Sequence, residues 1–292
     1  MFVEYLKLLR ITQWIKNFFL FVPLVFSKHL FHPGYFETSL KGFIIFCFIS
    51  SVVYIMNDIA DVESDRLHPK KKFRPLASGK IQKKNAILIA SGFSTFFIVM
   101  LVQSNLSFVY FAVGYLVLNI FYTFSLKHIV LLDIFSIAAG FMIRIAAGAV
   151  IINVELSSWL ILTTLFLSLF LAVSKRRSEL VQKTGESEFS SRKVLESYSI
   201  NFLDQIATIA GAGVIVSYAL YTVSSRTITI FRTENLIYST VFVVYGIFRY
   251  MFIVMSNNKG ENTSEDIVSD LPMIVNAILY SIFVILVVYH II

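Results

Sequence analysis

Apolar runs, each close to the length of a membrane-crossing helix, recur along the whole of this 292-residue chain, and that recurrence constrains its fold more than any other feature. A helix needs about 20 apolar residues to cross a hydrocarbon core roughly 30 Å thick. Backbone in lipid must also satisfy its own hydrogen bonds, which leaves helices or closed barrels. The runs fall near 14–32, 40–60, 85–103, 106–124, 131–152, 157–174, 202–223, 236–256 and 272–292. Nine such segments predict an all-α, polytopic membrane helix bundle, organised as one domain over 1–292. Pro23 interrupts the first segment and Arg144 the fifth.

A soluble reading fails on charge: 15% charged residues cannot coat a protein this size, and most apolar runs have no polar face. Mean hydropathy is +0.76. The 29 Phe and 14 Tyr suit lipid-facing and interfacial positions. The first apolar run follows Lys7, Arg10 and Lys16 as a secretory leader would. Ser27-Lys28-His29 is a poor cleavage site, however, so the run reads as a membrane helix. The lone Cys47 excludes an intrachain disulfide and a cysteine-based zinc site. His29, His32, His68, His128 and His290 lack metal-ligand spacing, and there is no P-loop or nucleophile–base triad pattern.

The net charge of +7 is placed asymmetrically. Long polar connections at 61–84, 175–200 and 257–271, with the compact 125–130 and the N-terminal stretch, hold most of the bases. The opposite side holds Lys28, Lys41, Arg226 and Arg232. By the positive-inside rule the long connections are cytoplasmic and the C-terminus is outside. That placement explains the basic excess without nucleic acid. A homo-oligomer is neither required nor excluded.

The string from Asn57 to Pro75 carries the chemistry. On a continuous helix Asn57, Asp61 and Asp65 stand at i, i+4 and i+8, on one face. Stacked oxygen ligands repel unless a cation sits among them, and they suit Mg²⁺, which completes its octahedron with water and phosphate. Arg66, Lys70, Lys71, Lys72 and Arg74 follow. A metal site beside phosphate-binding bases is what a diphosphate leaving group requires. A solvated membrane-edge loop would account for the lysines one by one, but not for the stacked acids.

A second constellation comprises Tyr122, Ser125, Lys127 and His128, then Asp133 and Arg144 within apolar sequence, where isolated charges are paired or functional. Asp133 and Arg144 lie about three helical turns apart and cannot pair directly. An ion pair with another helix is the competing reading for each. Lys175, Arg176, Arg177 and Glu179 end the sixth segment, as an interfacial anchor or a phosphate site. Gln13, Trp14, Lys16 and Asn17 open the first segment, and Glu265, Asp266 and Asp270 precede the ninth. All these clusters fall on one membrane face.

These motifs resemble the UbiA superfamily of intramembrane prenyltransferases. The run Asp65-Arg66-x-His68-Pro69-x-Lys71-x-x-Arg74-Pro75 is especially similar to the branch of decaprenyl-phosphate phosphoribosyltransferases. Gln13-Trp14-x-Lys16-Asn17, Tyr122-x-x-Ser125-x-Lys127-His128, Asp133 with Gly140-Phe141-x-x-Arg144, and Lys175-Arg176-x-x-Glu179 agree. The sequence departs from the pattern at Ile11, where proline often follows the arginine, and at Ser174, which replaces a frequent glycine.

The resemblance implies a nine-helix bundle around a central cavity with cytoplasmic cap loops, which moves 5-phosphoribose from phosphoribosyl diphosphate to a polyprenyl phosphate lipid with Mg²⁺. Asn57, Asp61 and Asp65 would then hold the metal, and Asp61, Asp65 and Asp133 would serve catalysis. Lys16, Arg66, Lys71, Arg74, Tyr122, Lys127, Arg144, Lys175 and Arg176 would bind substrate. The alternative within the superfamily is transfer of a polyprenyl group from its diphosphate to a phenolic acceptor. A lipid transporter or scaffold without catalysis is a third reading.

Overall fold

The computed structural model describes residues 2–67, 71–185, 193–256 and 269–289. His68, Pro69, Lys70, Arg192, Lys259, Glu265, Asp266 and His290 lie outside the described residues. The described chain is helical: α1 (Phe2–Leu8), a 3₁₀ segment (Ile11–Phe21) running into α2 (Val22–Phe26), α3 (Tyr35–Ala60) and α4 (Val62–Leu67). Then come α5 (Lys83–Val102), α6 (Leu106–Phe124), α7 (Leu132–Ile151) and α8 (Ser158–Gly185). The last helices are α9 (Ile200–Val223), α10 (Ser225–Phe231), α11 (Thr240–Ser256) and α12 (Leu271–Val288). Among the described residues, eight helical stretches are long and apolar enough to cross a membrane.

A shorter apolar helical stretch, Ile11–Phe26, stands where the first crossing is expected at 14–32. Eleven of its residues are 3₁₀, which rises about 2.0 Å per residue instead of 1.5 Å, so sixteen residues still extend about 30 Å. Pro23 falls in the first turn of α2, where its missing N–H costs nothing, and does not bend a long helix. Arg10, in the left-handed region at φ 50°, turns the chain out of α1 before Ile11 starts the 3₁₀ run.

The three-residue period of that run aligns Trp14, Asn17 and Leu20 on one face. Trp14 Nε1 donates to Ser51 Oγ at 3.0 Å and Asn17 Nδ2 to Cys47 Sγ at 3.3 Å. Leu20 packs where only glycine fits: a Cβ on Gly148 of α7 would lie 2.2 Å from the Leu20 carbonyl oxygen. One core therefore joins this segment to α3, α6 and α7 through Leu20, Phe46, Ile49, Phe108 and Ala147. A second joins α8, α9 and α11 through Phe170, Val173, Ala210, Val214 and Tyr250. Helix α7 contributes to both and is the most enclosed crossing. Large apolar side chains stay exposed on the outer helices, among them Leu88, Val102, Val241 and Phe248. So continuous an apolar exterior is stable only against lipid.

The polar connections are more helical than expected. Helix α8 continues past the sixth apolar run to Gly185, so Lys175, Arg176 and Arg177 are helical residues and not loop residues. Part of the stretch 183–197 is likewise regular, as the end of α8 and a 3₁₀ turn at Lys193–Ser197.

Candidate active site

Helix α3 ends one residue before Asp61, yet the hydrogen-bond ladder barely breaks. Asp61 N–H donates to Asn57 O at 2.9 Å and Asp65 N–H to Asp61 O at 2.8 Å. The i, i+4, i+8 relation therefore holds for the backbone, while the side chains take different partners. Asn57 Oδ1 accepts a short hydrogen bond from Thr123 Oγ1 of α6. One turn further along each element, Lys127 Nζ lies 2.8 Å from Asp61 Oδ1. Lys127 is buried, whereas the Asp61 side chain keeps 31% exposure, so its carboxylate stays open to a ligand.

Asp65 leaves this pair and accepts from Arg74 NH1 at 2.6 Å. The same guanidinium lies 3.2 Å from Asp58, which also takes a short ion pair from Arg10. Asp58 thus ties the turn at Arg10 and the connection after α4 to the end of α3. The sequence pattern gave it no part, because one residue after Asn57 is about 100° off the Asn57–Asp61 face. Its setting beside a membrane span was the available signal. The three side chains of the helical stack therefore have different partners, Thr123 for Asn57, Lys127 for Asp61 and Arg74 for Asp65. Among the described residues no group of three or more His, Cys, Asp or Glu side chains is arranged to hold a metal.

Arg66 also stands apart, with its guanidinium on exposed Glu63 at 3.2 Å and on the Ala77 carbonyl at 3.4 Å. Lys71 is half-buried on the 3₁₀ turn Lys71–Phe73.

Asp133 and Arg144 do not meet. Asp133, fully buried, accepts from Arg176 Nε at 2.6 Å and from Tyr198 Oη at 2.7 Å, so both carboxylate oxygens are engaged. Arg176 also donates to Glu179 at 2.6 Å and to Tyr122 Oη at 3.0 Å. Tyr198 Oη accepts the Leu131 N–H at 2.7 Å, where Leu131 takes φ 66°. Burial, with Asp133 as acceptor, holds the Tyr198 phenol well above its usual pKa, so it remains a donor. Held between Arg176 and Tyr198, Asp133 fixes the orientation of the Arg176 guanidinium.

Arg144 is buried in α7. Its Nε donates to Asn17 Oδ1 at 2.8 Å, NH1 to Gly140 O at 2.9 Å and NH2 to Tyr115 Oη at 2.7 Å. Half-buried Lys16 lies within electrostatic reach of Arg144 and Arg10, and half-buried Lys175 within reach of Lys16 and Arg176. Asn57 and Asp61 thus pair with α6 and the turn after it through Thr123 and Lys127, while the further cations Lys16, Arg144, Lys175 and Arg176 lie on the first crossing, α7 and α8. Asn17 was legible only as an interfacial residue, because its contact with Arg144 spans 127 positions.

Fold and family together define an integral membrane transferase. The model of the UbiA prenyltransferase family matches residues 18–266, and the chain belongs to that family. It is 37% identical to the decaprenyl-phosphate phosphoribosyltransferase of Mycolicibacterium smegmatis over 227 residues, covering 75% of this chain and 70% of the relative. The enzyme of the same name from Corynebacterium glutamicum is 36% identical over 225 residues, 74% of this chain and 66% of that one. Among solved structures, a UbiA homolog from Archaeoglobus fulgidus bound to GPP and Mg²⁺ superposes with TM-score 0.73. That match has 18% identity and covers 98% of this chain and 99% of the other.

Proposed function

We propose that this protein transfers 5-phosphoribose from phosphoribosyl diphosphate to a polyprenyl phosphate, with Mg²⁺, at the cytoplasmic face of the membrane. The reading is supported by relatives of that name at 36–37% identity. The observation that carries it is the pairing of the Asn57–Asp61 end of α3 with Thr123 and Lys127, in a site where cations outnumber the open oxygen ligands. A donor with several phosphates and an acceptor that is itself a phosphate match that excess better than a phenolic acceptor does. The basic connections support a cytoplasmic position for this end of the bundle.

Asn57 and Asp61 suit a magnesium ion, because one amide and one carboxylate oxygen at the tip of a rigid helix are hard donors. The Lys127 ammonium pairs with that carboxylate and would yield it to the metal, which would free Lys127 for phosphate. When bound, the metal would supply Lewis-acid stabilisation of a diphosphate. Asp65 and Asp58 would hold Arg74 in place, and Arg74 with Lys127 would bind the departing diphosphate. Asp133 would fix Arg176 on the facing helix.

In the reaction the acceptor phosphate oxygen bonds to the anomeric carbon as the bond from that carbon to diphosphate breaks, releasing pyrophosphate. Positive charge develops at the anomeric carbon, and the fixed cations stabilise the leaving group. The acceptor is already anionic at neutral pH, so no strong general base is needed. The lipid tail stays among apolar helices, so the bilayer delivers the head group already confined and oriented.

The test supplies purified protein and Mg²⁺ with ribose-labelled phosphoribosyl diphosphate and polyprenyl phosphate, and in parallel with prenyl diphosphate and a phenolic acceptor. Label entering the lipid fraction is expected. Turnover of the second pair alone would replace this reading with aromatic prenyl transfer, and metal-independent lipid movement alone would replace it with transport.

A further inference from the structure

Between α3 and α5 the bundle leaves an open groove of about 430 Å³. Its α3 bank is Val52, Ile55, Met56 and Ile59, and the small side chains of Ala90, Ser91 and Ser94 hollow out the α5 bank. At about 100° per residue, the α3 bank points roughly 170° away from Asn57 and Asp61. The groove therefore lies on the back of the helix that carries those two residues. Ile87 and Ile98, which bound it along α5, are exposed on the outside of the bundle. The rise of α5 from Ile87 to Ile98 is about 16 Å, close to half of a hydrocarbon core roughly 30 Å thick. The groove is one leaflet deep and begins beside Ile59, at the Asp61 end of the bundle.

The same stripe of α5 opens on two bases. Lys83 and Lys84 are the first residues of the helix, one turn before Ile87, and both stand within about 50° of the groove direction. Both are exposed, and among the described residues neither has a hydrogen bond or an ion pair. Glu4, which reaches Lys80 close by, already holds Lys80 at 3.3 Å and Lys7 at 3.1 Å. Lysines at a helix end lay their stems along apolar surface and keep the ammonium in the head-group layer. An apolar groove headed by unneutralised positive charge is complementary to a lipid with a long chain and an anionic head.

We propose that the α3–α5 groove binds one anionic phospholipid from the leaflet on the Asp61 side, with an acyl chain along the groove and the phosphate on Lys83 and Lys84. The chain supplies the van der Waals contacts that larger side chains at Ala90, Ser91 and Ser94 would otherwise make. It thereby braces the back of α3, whose tip sets Asn57 and Asp61. The site is independent of the reaction: it needs neither a sugar donor nor a metal. A reacting lipid is the poorer fit, because a head group on Lys83 and Lys84 lies behind α3, turned away from Asp61.

The test is native mass spectrometry of the detergent-purified full chain with dioleoyl phosphatidylglycerol and, separately, dioleoyl phosphatidylcholine, which share their chains and differ in head-group charge. Phosphatidylglycerol is expected to be retained at one per chain, to bind more tightly than phosphatidylcholine and to raise the melting temperature. Lys83→Gln and Lys84→Gln should each weaken its binding about fivefold, the scale of one base near an anionic surface. Lys80→Gln, which removes an exposed charge paired with Glu4, should not. Ser91→Leu and Ser94→Leu fill the groove, so each should weaken retention of both lipids without lowering the melting temperature of the lipid-free protein. Equal retention of the two lipids, or wild-type retention by the lysine variants or by both leucine variants, overturns the site. Equal weakening by Lys80→Gln would reduce it to diffuse surface charge. One lipid per two chains would give the groove to a second copy, and displacement of phosphatidylglycerol by farnesyl phosphate would give it to a polyprenyl phosphate; either result rejects the proposal.

Discussion

The Lys127 ammonium lies 2.8 Å from the Asp61 carboxylate, joining the turn after α6 to the tip of α3. One helical turn back, Thr123 and Asn57 repeat the contact between the same two elements. Residues 66 positions apart are thus paired twice in register, which fixes the rotation of α3 against α6 and sets the direction in which Asn57 and Asp61 face.

Asp61→Asn keeps the shape of that contact and removes its charge. Ribosyl transfer should fall by about 10²-fold or more, the scale of losing charge stabilisation at a reacting centre. Stability should change by less than about 1 kcal/mol, because the Asp61 side chain is partly exposed. Steady-state rates and thermal unfolding separate the two effects, and full activity would refute the metal assignment.

Asp58→Ala should behave in the opposite way. It strips the shared carboxylate from Arg10 and Arg74, and breaking a buried ion pair costs about 3–5 kcal/mol. We expect a clear drop in melting temperature, with a raised KM for the sugar donor as Arg74 loosens. Asp65→Ala, which leaves Arg74 one carboxylate, should be milder, and a variant as stable as wild type at Asp58 would exclude the network as a tether.

Gly148→Ala tests the close approach of the 3₁₀ segment to α7. A methyl there meets Leu20 backbone, which cannot rotate aside, so overpacking should cost about 1–3 kcal/mol. Gly114→Ala in α6 meets nothing within 4 Å and should be neutral or stabilising by up to about 1 kcal/mol. Equal effects of the two on unfolding would remove the argument for this contact.

Tyr198→Phe leaves the Leu131 N–H and one Asp133 oxygen without their partner, at a cost of about 1–3 kcal/mol. The folded protein holds the phenol proton more tightly than the unfolded chain does. That linkage therefore stabilises below the ordinary phenol pKa of about 10 and is lost as pH rises above it. The stability gap between wild type and variant should stay constant from pH 6 to 9 and shrink above pH 10. A gap that grows with alkaline pH would contradict the assigned donor role.

Sequence by itself determined the membrane-spanning class, the order of the crossings, the asymmetry of basic charge, and the spacing that sets Asn57 and Asp61 one turn apart. These follow from local quantities, the length of an apolar run and the 3.6-residue period, which no distant contact alters. Tertiary structure alone decided who pairs with whom. It gave Asp65 to Arg74, Asp133 to Arg176 and Asn17 to Arg144, placed Arg66 on the surface with Glu63, and turned Ile11–Phe21 into a 3₁₀ crossing. Each of those outcomes depends on the rotation and approach of packed helices. The buried charges compete for partners tens of residues away, and the nearest guanidinium in space wins over the best-spaced neighbour in sequence.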